Sequence, residues 1–202
     1  MLQKVFHDFI TLLVVINPVG NVPLFIGTVG GETVERQRRI AIQAILVAAV
    51  ILVLFISLGQ LLLDALGISL ASFQIAGAVV LLIIALRMVL EEPRIVPTGT
   101  GMTHGNVAVF PIAMPFIAGP AAIMAVILLT DNNIYSVGMQ AETTAMMLVV
   151  LAITYACLAG AELVQRVLGA TGANVVSRIM GLILAALAVQ SLIGGLRHIG
   201  PL

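Results

Sequence analysis

The chain has 202 residues, which would ordinarily suggest one or two domains, but 61% of them are apolar and only 9% are charged. A soluble domain carries about a quarter charged residues, so this composition excludes a soluble enzyme, a disordered regulator and a nucleic-acid binder. Nine basic residues balance nine acidic ones, which leaves no positive field to attract DNA, and we predict an integral membrane protein.

Six apolar segments are long enough to cross a bilayer. A transmembrane helix needs about 20 predominantly apolar residues, each advancing it by about 1.5 Å. The predicted spans are residues 5–29, 40–63, 71–90, 107–130, 144–161 and 176–196. Short polar connections, among them 31–39, 91–106 and 162–177, join the spans, so we predict a single transmembrane domain over 1–202. No cleaved signal peptide is expected, because Asp8 interrupts the first apolar run and no small-residue cleavage pattern follows it.

The first span contains a dense run of helix-breaking residues: Asn17, Pro18, Gly20, Asn21 and Pro23. Each proline lacks a backbone N–H and collides with the carbonyl four residues earlier. Glycine permits backbone angles that other residues avoid. Two prolines and a glycine within six residues predict that this helix unwinds rather than merely bends.

The fourth span carries a matching run with Pro115, Gly119 and Pro120. Both runs lie about a dozen residues into their spans, so both breaks are predicted near the bilayer midplane. Unsatisfied backbone groups at that depth cost several kcal/mol each unless protein or water satisfies them. Such breaks are therefore expected mainly where they line a cavity, the alternative being simple structural kinks.

Two broken helices can bind a small zwitterionic solute. A helix that restarts offers free N–H groups and a partial positive charge to a carboxylate, while the end of the preceding half-helix offers carbonyls to an ammonium group. The asparagine amides add donors and acceptors without net charge. We therefore predict a substrate site, with no cofactor, at Asn17, Pro18, Gly20, Asn21, Pro23, Pro115, Gly119 and Pro120.

The two halves of the chain resemble each other at an offset of 102 residues, which pairs Asn17-Pro18 with Gly119-Pro120. After a further shift of two residues, Gly77 pairs with Gly181. Each half holds three spans, so the second copy inserts upside down, as in many secondary transporters. The predicted fold is an all-α membrane protein of six transmembrane helices, built from two inverted three-helix repeats at 1–97 and 105–202.

The distribution of Lys and Arg predicts the orientation, since cytoplasmic connections carry an excess of them. The first, third and fifth connections with the adjoining helix ends hold seven of the nine: Arg36, Arg38, Arg39, Arg87, Arg94, Arg166 and Arg178. Only Lys4 and Arg197 lie on the other side. We expect the odd-numbered connections in the cytoplasm and both termini outside it.

Three motifs together resemble those of the MarC family of integral membrane proteins. Asn-Pro-x-Gly-x-x-Pro-x-Phe at 17–25 looks like the family's first-helix motif, Pro-Phe-Ile-Ala-Gly-Pro at 115–120 resembles its fourth-helix motif, and 178–190 is similar to its sixth-helix signature. The resemblance covers essentially the whole chain. It implies a six-span bacterial inner-membrane protein, grouped with neutral amino acid transporters that move glycine and alanine and related to the lysine-exporter superfamily.

Enzyme motifs are missing from the sequence: it contains no HExxH, GxSxG or P-loop pattern. The three histidines, His7, His104 and His198, lie on different connections, so no metal site is expected. Without a nucleotide-binding motif, transport would use a gradient, and the sequence leaves a proton and a sodium ion open as the coupling ion. We interpret Asp8 and His7 as a solvated interfacial pair, with a proton relay as the alternative.

The combined prediction is a secondary transporter of small neutral amino acids that works by alternating access. Two alternatives stay open: an exporter of another small metabolite, and a non-transporting membrane scaffold or regulator. The direction of transport and the oligomeric state are not determined by the sequence.

Overall fold

The computed structural model describes residues 2–29, 32–90 and 107–199, and within them all regular elements are helices, without β-strands. This confirms the predicted all-α class. In chain order the helices are α1 (Leu2–Ile16), α2 (Asn21–Val29), α3 (Val34–Ala65), α4 (Leu70–Leu90), the π-helical α5 (Ala108–Ile117), α6 (Pro120–Leu129), α7 (Val137–Ala159) and α8 (Ala161–Ile199).

Three of these helices, α3, α4 and α7, are long and apolar enough to span a membrane on their own, with 32, 21 and 23 residues. The predicted first and fourth spans are each divided in two, into α1 and α2 with 15 and 9 residues and into α5 and α6 with 10 and 10. Neither half alone reaches the length of a span. The number of crossings therefore remains a prediction.

One predicted connection is wrong. Residues 162–177 were expected to form a polar linker, but α8 runs without interruption from Ala161 to Ile199. The stretch contains no proline, and seven of its sixteen residues are leucine, alanine, glutamate, glutamine or arginine, which favour helix. Polarity marks where a helix leaves the hydrocarbon, not where it ends. The first connection is likewise partly helical, because α3 begins at Val34 behind the N-cap residue Thr33.

The helices pack in pairs that recur between the two halves. The first half contributes α1–α2, α3 and α4, and the second contributes α5–α6, α7 and α8. The first helix of each half packs against the middle helix of the other, as α1 with α7 and α5 with α3. The second segment packs against the last helix, as α2 with α8 and α6 with α4. The middle helices α3 and α7 contact each other, and so do α4 and α8, which form the most extensive interface.

Close approach of α4 and α8 depends on a glycine. A Cβ at Gly181 would lie 2.8 Å from Val89 Cγ2 and 3.0 Å from the carbonyl oxygen of Ala85. The first distance is shorter than real Cβ contacts and the second is tighter than most of them, so glycine favours the close approach of the two helices here, in the manner of small-residue contacts in membranes.

Candidate functional site

The first helix break lies at Asn17 to Gly20, where the sequence predicted it. Helix α1 ends at Ile16 and α2 begins at Asn21. Asn17 adopts a left-handed backbone conformation with φ +52°, which asparagine tolerates better than other residues with a side chain. Asn17, Pro18, Gly20 and Asn21 are all buried.

The side chains of the first break close the gap between the two half-helices. The backbone N–H of Gly20 donates to Asn17 Oδ1 at 3.0 Å, and Asn21 Nδ2 donates to the Ile16 carbonyl at 2.8 Å. A Cβ at Gly20 would overlap the amide of Asn17. The asparagine and the glycine are therefore one interlocked unit, which gives a physical reason for the Asn-Pro-x-Gly pattern.

The second break lies at Ala118 and Gly119, between α5 and α6. The last turn of α5 is wider than an α-helix, since the N–H of Ala118 donates to the carbonyl of Ala113, five residues earlier, at 2.8 Å. Wide π-helical turns occur frequently at functional sites. Gly119 is extended, with φ −76° and ψ 170°, and Pro120 is the first residue of α6, the position at which proline fits a helix best.

The two breaks differ in how they use their backbone donors. At the first break, the N–H groups of Asn21 and Val22 donate to the carbonyls of Asn17 and Val19 at 3.1 and 3.2 Å. At the second break, Gly119 offers no capping side chain. Among residues 2–29, 32–90 and 107–199, the N–H groups of Ala121 and Ala122 have no hydrogen-bond partner.

These free donors are protected from solvent within the chain, because Ala121 is 5% and Ala122 is 2% exposed. They lie at the N-terminus of α6, where the helix dipole favours an anion. The N–H groups of Asn21 and Val22 at the first break are thus used within the chain, whereas those of Ala121 and Ala122 at the second break are not.

The asparagines of the first break leave half of each amide unused. Within the part of the chain that the structure describes, Asn17 Nδ2 donates no hydrogen bond and Asn21 Oδ1 accepts none. A buried region without charge thus holds one free amide donor and one free amide acceptor, four residues apart in the chain.

Residues beside both breaks belong to one hydrophobic cluster. Ile16 and Val22 flank the first break, Ile117 and Ala118 flank the second, and all four are buried in that cluster. Of the remaining predicted site residues, Pro120 is half-buried. Pro23 lies within α2 and Pro115 within α5, and their side chains fall outside the described part.

The interpretation of Asp8 as a solvated residue is wrong. Asp8 is 1% exposed and accepts hydrogen bonds on Oδ2 from Lys4 Nζ at 2.5 Å and from Thr143 Oγ1 at 2.6 Å. Its burial follows from the packing of α1 on α7. The one signal in the sequence is that Lys4 and Asp8 are four residues apart on a helix, the spacing of an ion pair.

A second polar cluster was also missed. Asp131, 6% exposed, follows α6 and accepts from Gln60 Nε2 of α3 at 2.9 Å. Gln74 is also interhelical, since its Nε2 donates to the carbonyl of Ser191 at 3.1 Å and joins α4 to α8.

The described residues contain no group of three or more histidine, cysteine, aspartate or glutamate side chains that could hold a metal ion. His7 lies in α1, whereas His104 and the side chain of His198 fall outside the described part.

Comparisons with known proteins agree on one family. A family model described as "MarC family integral membrane protein" matches residues 2–199. A UPF0056 membrane protein of Aquifex aeolicus is 32% identical over 196 residues, or 95% of this chain and 91% of the relative. A UPF0056 membrane protein of Methanocaldococcus jannaschii is 33% identical over 200 residues, or 97% of each chain. The UPF0056 inner membrane protein YhgN of Escherichia coli K12 is 26% identical over 201 residues, or 97% of this chain and 98% of the relative. No solved structure matches significantly.

Proposed function

Because the chain belongs to the MarC family of integral membrane proteins, we propose that it is a secondary transporter of small neutral amino acids, such as glycine or alanine, in the bacterial inner membrane. The observation that carries the proposal is the pair of broken helices with unused polar groups at each break. The relative from E. coli, which is named an inner membrane protein, supports the location.

The proposed architecture is a pair of inverted repeats, α1 to α4 and α5 to α8, with six crossings. The recurrence of the main helix contacts between the halves supports it, because a two-fold axis would generate α1–α7 together with α5–α3 and α2–α8 together with α6–α4. The two breaks also pair at the sequence offset of 102 residues. Transporters built in this way bind substrate at the repeat interface, where their helices are discontinuous.

In our proposal, the substrate carboxylate binds at the second break. Two adjacent free N–H groups, from Ala121 and Ala122, lie at a helix N-terminus that lacks a capping side chain. A carboxylate would satisfy both and would interact with the positive end of α6. Asn17 Nδ2 from the first break is the third donor for the same group.

The substrate ammonium group is proposed to bind at the first break, where Asn21 Oδ1 is the free acceptor. Neither break contains a charged side chain, so a net-neutral zwitterion suits the pair better than an ion. The choice of glycine and alanine among such zwitterions follows what the family resemblance implies.

Each break binds one end of the substrate and is therefore a half-site, and the two half-sites lie on different repeats. Alternating access follows from this placement. When one repeat rocks against the other, the half-sites stay on the substrate while the opening changes sides. The membrane orientation in this proposal has both termini outside the cytoplasm, as the Lys and Arg distribution predicts.

Glycine counterflow with purified protein in liposomes tests the proposal. Vesicles loaded with unlabelled glycine should accumulate external labelled glycine, without any imposed ion gradient. Competition by alanine but not by lysine would agree with the neutral site. No exchange of either amino acid would refute it, and exchange of another small metabolite alone would establish the exporter alternative. A protein that exchanges no solute would establish the scaffold alternative.

A further inference from the structure

A buried ion pair ties the start of α1 to the start of α7. Asp8 Oδ2 accepts from Lys4 Nζ at 2.5 Å and from Thr143 Oγ1 at 2.6 Å. Lys4 Nζ also donates to Thr143 Oγ1 at 2.8 Å. The three groups form a closed triangle, and Thr143 is the member that belongs to α7. In the proposed architecture these two helices belong to different repeats, so this contact lies between the parts that must move.

The second oxygen of the carboxylate has no partner. Asp8 Oδ1 is buried and accepts no hydrogen bond from the residues that the structure describes. The Nδ1 of the neighbouring His7 lies 3.6 Å from it, too far for a hydrogen bond. Unsatisfied buried polar atoms are rare in proteins, and a buried carboxylate within a membrane protein marks an ion or proton path more often than a packing role.

We propose that Asp8 is a proton-binding site whose protonation releases α1 from α7. The ligand is a proton rather than a metal cation, because the ammonium group of Lys4 already occupies the other carboxylate oxygen and would repel a second cation. The role of this proton in transport depends on the proposed function, whereas its binding and the release of the two helices do not.

The Thr143 hydroxyl has a second acceptor within reach, to which it can donate when Asp8 is protonated. Its hydroxyl lies 3.1 Å from the carbonyl of Met139, one turn earlier in α7. When Asp8 is ionised, the hydroxyl donates to the carboxylate. When Asp8 takes up a proton, the hydroxyl turns to the Met139 carbonyl. Lys4 then loses its counter-charge and keeps only the hydroxyl and the ring of Tyr135, whose centroid lies 4.4 Å from Nζ.

The protein around Asp8 leaves few other groups that could take the proton. On α1 these are Lys4 and His7, whose side chain is 69% exposed and gives the buried oxygen a route to solvent. On α7 and the connection before it they are Glu142, which also has a buried oxygen without a partner, Tyr135 and the buried Asp131. Helix α6 contains no ionisable side chain. Towards α8, Val14 and Val15 of α1 pack on an apolar cluster: Leu81, Ala85, Ala121, Leu184 and Ala188.

The Asp8–Thr143 contact, which ties α1 to α7, is present in one half only. The offset of 102 residues pairs Asp8 with Phe110 and Thr143 with Ala41. The corresponding contact between α5 and α3 therefore lacks this carboxylate and hydroxyl. A proton would control the opening on one side of the membrane and leave the other to apolar packing, which is what coupling to a directional proton gradient requires.

Distance measurement by electron paramagnetic resonance tests the proposal without any substrate. Spin labels at Phe6→Cys on α1 and Ala145→Cys on α7, in a Cys157→Ala background, lie at exposed positions near the tie. In lipid nanodiscs, the label distance should be short at neutral pH and should lengthen reversibly at acidic pH. The Asp8→Asn variant, which resembles the protonated acid, should show the long distance at both pH values.

Two further variants keep the test decisive if Asp8→Asn folds poorly. Thr143→Val removes the hydroxyl but keeps the ion pair, and it should also show the long distance at both pH values. Glu142→Gln is the matched control, a neighbouring half-buried carboxylate with one buried oxygen, and it should leave the pH response unchanged. A distance in the parent protein that does not depend on pH, or a pH response that persists in Asp8→Asn or disappears in Glu142→Gln, would overturn the proposal.

The coupling role has its own measurement. In liposomes with an imposed proton gradient, Asp8→Asn should lose gradient-driven accumulation of labelled glycine, whereas the Glu142→Gln control should keep it. Equal accumulation by the variant and the parent would overturn the coupling role. Absence of glycine transport by the parent would count against the proposed function, while the pH-dependent distance would still establish the proton site.

Discussion

Replacing Asn17 by glycine would separate the two roles that we assign to this residue. As a structural element, Asn17 holds a left-handed turn and accepts the N–H of Gly20 at 3.0 Å. As a site residue, it offers a free Nδ2 donor to the substrate carboxylate. Glycine adopts the same backbone conformation without strain, so the variant keeps the turn and loses the amide.

The expected cost in stability is small. Relief of the left-handed conformation recovers about 1 kcal/mol, while the N–H of Gly20, now without a partner, costs about 1–3 kcal/mol. The net destabilisation is then about 1 kcal/mol, from the difference of these two terms. Loss of a hydrogen bond to a charged group costs about 1.5–3 kcal/mol, so the Kd for glycine should rise by about 10- to 100-fold.

The matched control is Gln43→Gly. Gln43 is an exposed amide within α3, and glycine in a helix interior costs about 1 kcal/mol, so this variant loses an amide at a similar cost in stability, away from the breaks. Glycine affinity is measured by equilibrium binding to purified protein, and stability by thermal unfolding in the same detergent. If Asn17→Gly binds glycine as well as Gln43→Gly does, Asn17 does not contact the substrate.

The remaining predictions concern the second break, the interlocked turn, the α4–α8 interface and the topology. Gly119→Ser supplies a cap for the free N–H groups of α6, which should change stability by only a few tenths of a kcal/mol but abolish glycine counterflow; unchanged counterflow would remove those donors from the site. Gly20→Ala places a Cβ on the amide of Asn17 and should lower the free energy of unfolding by about 2–3 kcal/mol, measured by thermal unfolding. Gln74→Leu should cost about 0.6 kcal/mol through the lost bond to α8, with no effect on glycine affinity. A reporter fused to the C-terminus should be active only outside the cytoplasm, and a cytoplasmic signal would reverse the proposed orientation.

The breaks could be predicted from the sequence because their causes are local. Pro18 and Pro120 remove N–H groups from an apolar helix, and no tertiary contact can restore those donors. Which of the two breaks uses its backbone N–H donors within the chain could not be predicted. It depends on the Asn17 side chain turning back onto Gly20, a geometry that the residue types permit but do not require.

The buried position of Asp8 could not be predicted because its partner is distant in the chain. Thr143 is 135 residues away, and only the packing of α1 on α7 brings the hydroxyl to the carboxylate. Asp8 lies close to the predicted start of its span at residue 5, and this position suggested that its carboxylate contacts solvent. The helical course of 162–177 was missed for another reason, since polarity separates water from lipid and does not separate helix from loop.

The most direct test of the central claim is the position of bound glycine relative to the two breaks. Solid-state NMR in lipid bilayers, with 13C in the glycine carboxyl group and 15N in the alanine amides of the protein, measures that position. Our account predicts a carboxyl carbon within about 4 Å of the amide nitrogens of Ala121 and Ala122, as hydrogen bonding requires. Bound glycine with no dipolar contact to these amides, or contacts that survive unchanged in Gly119→Ser, would contradict it.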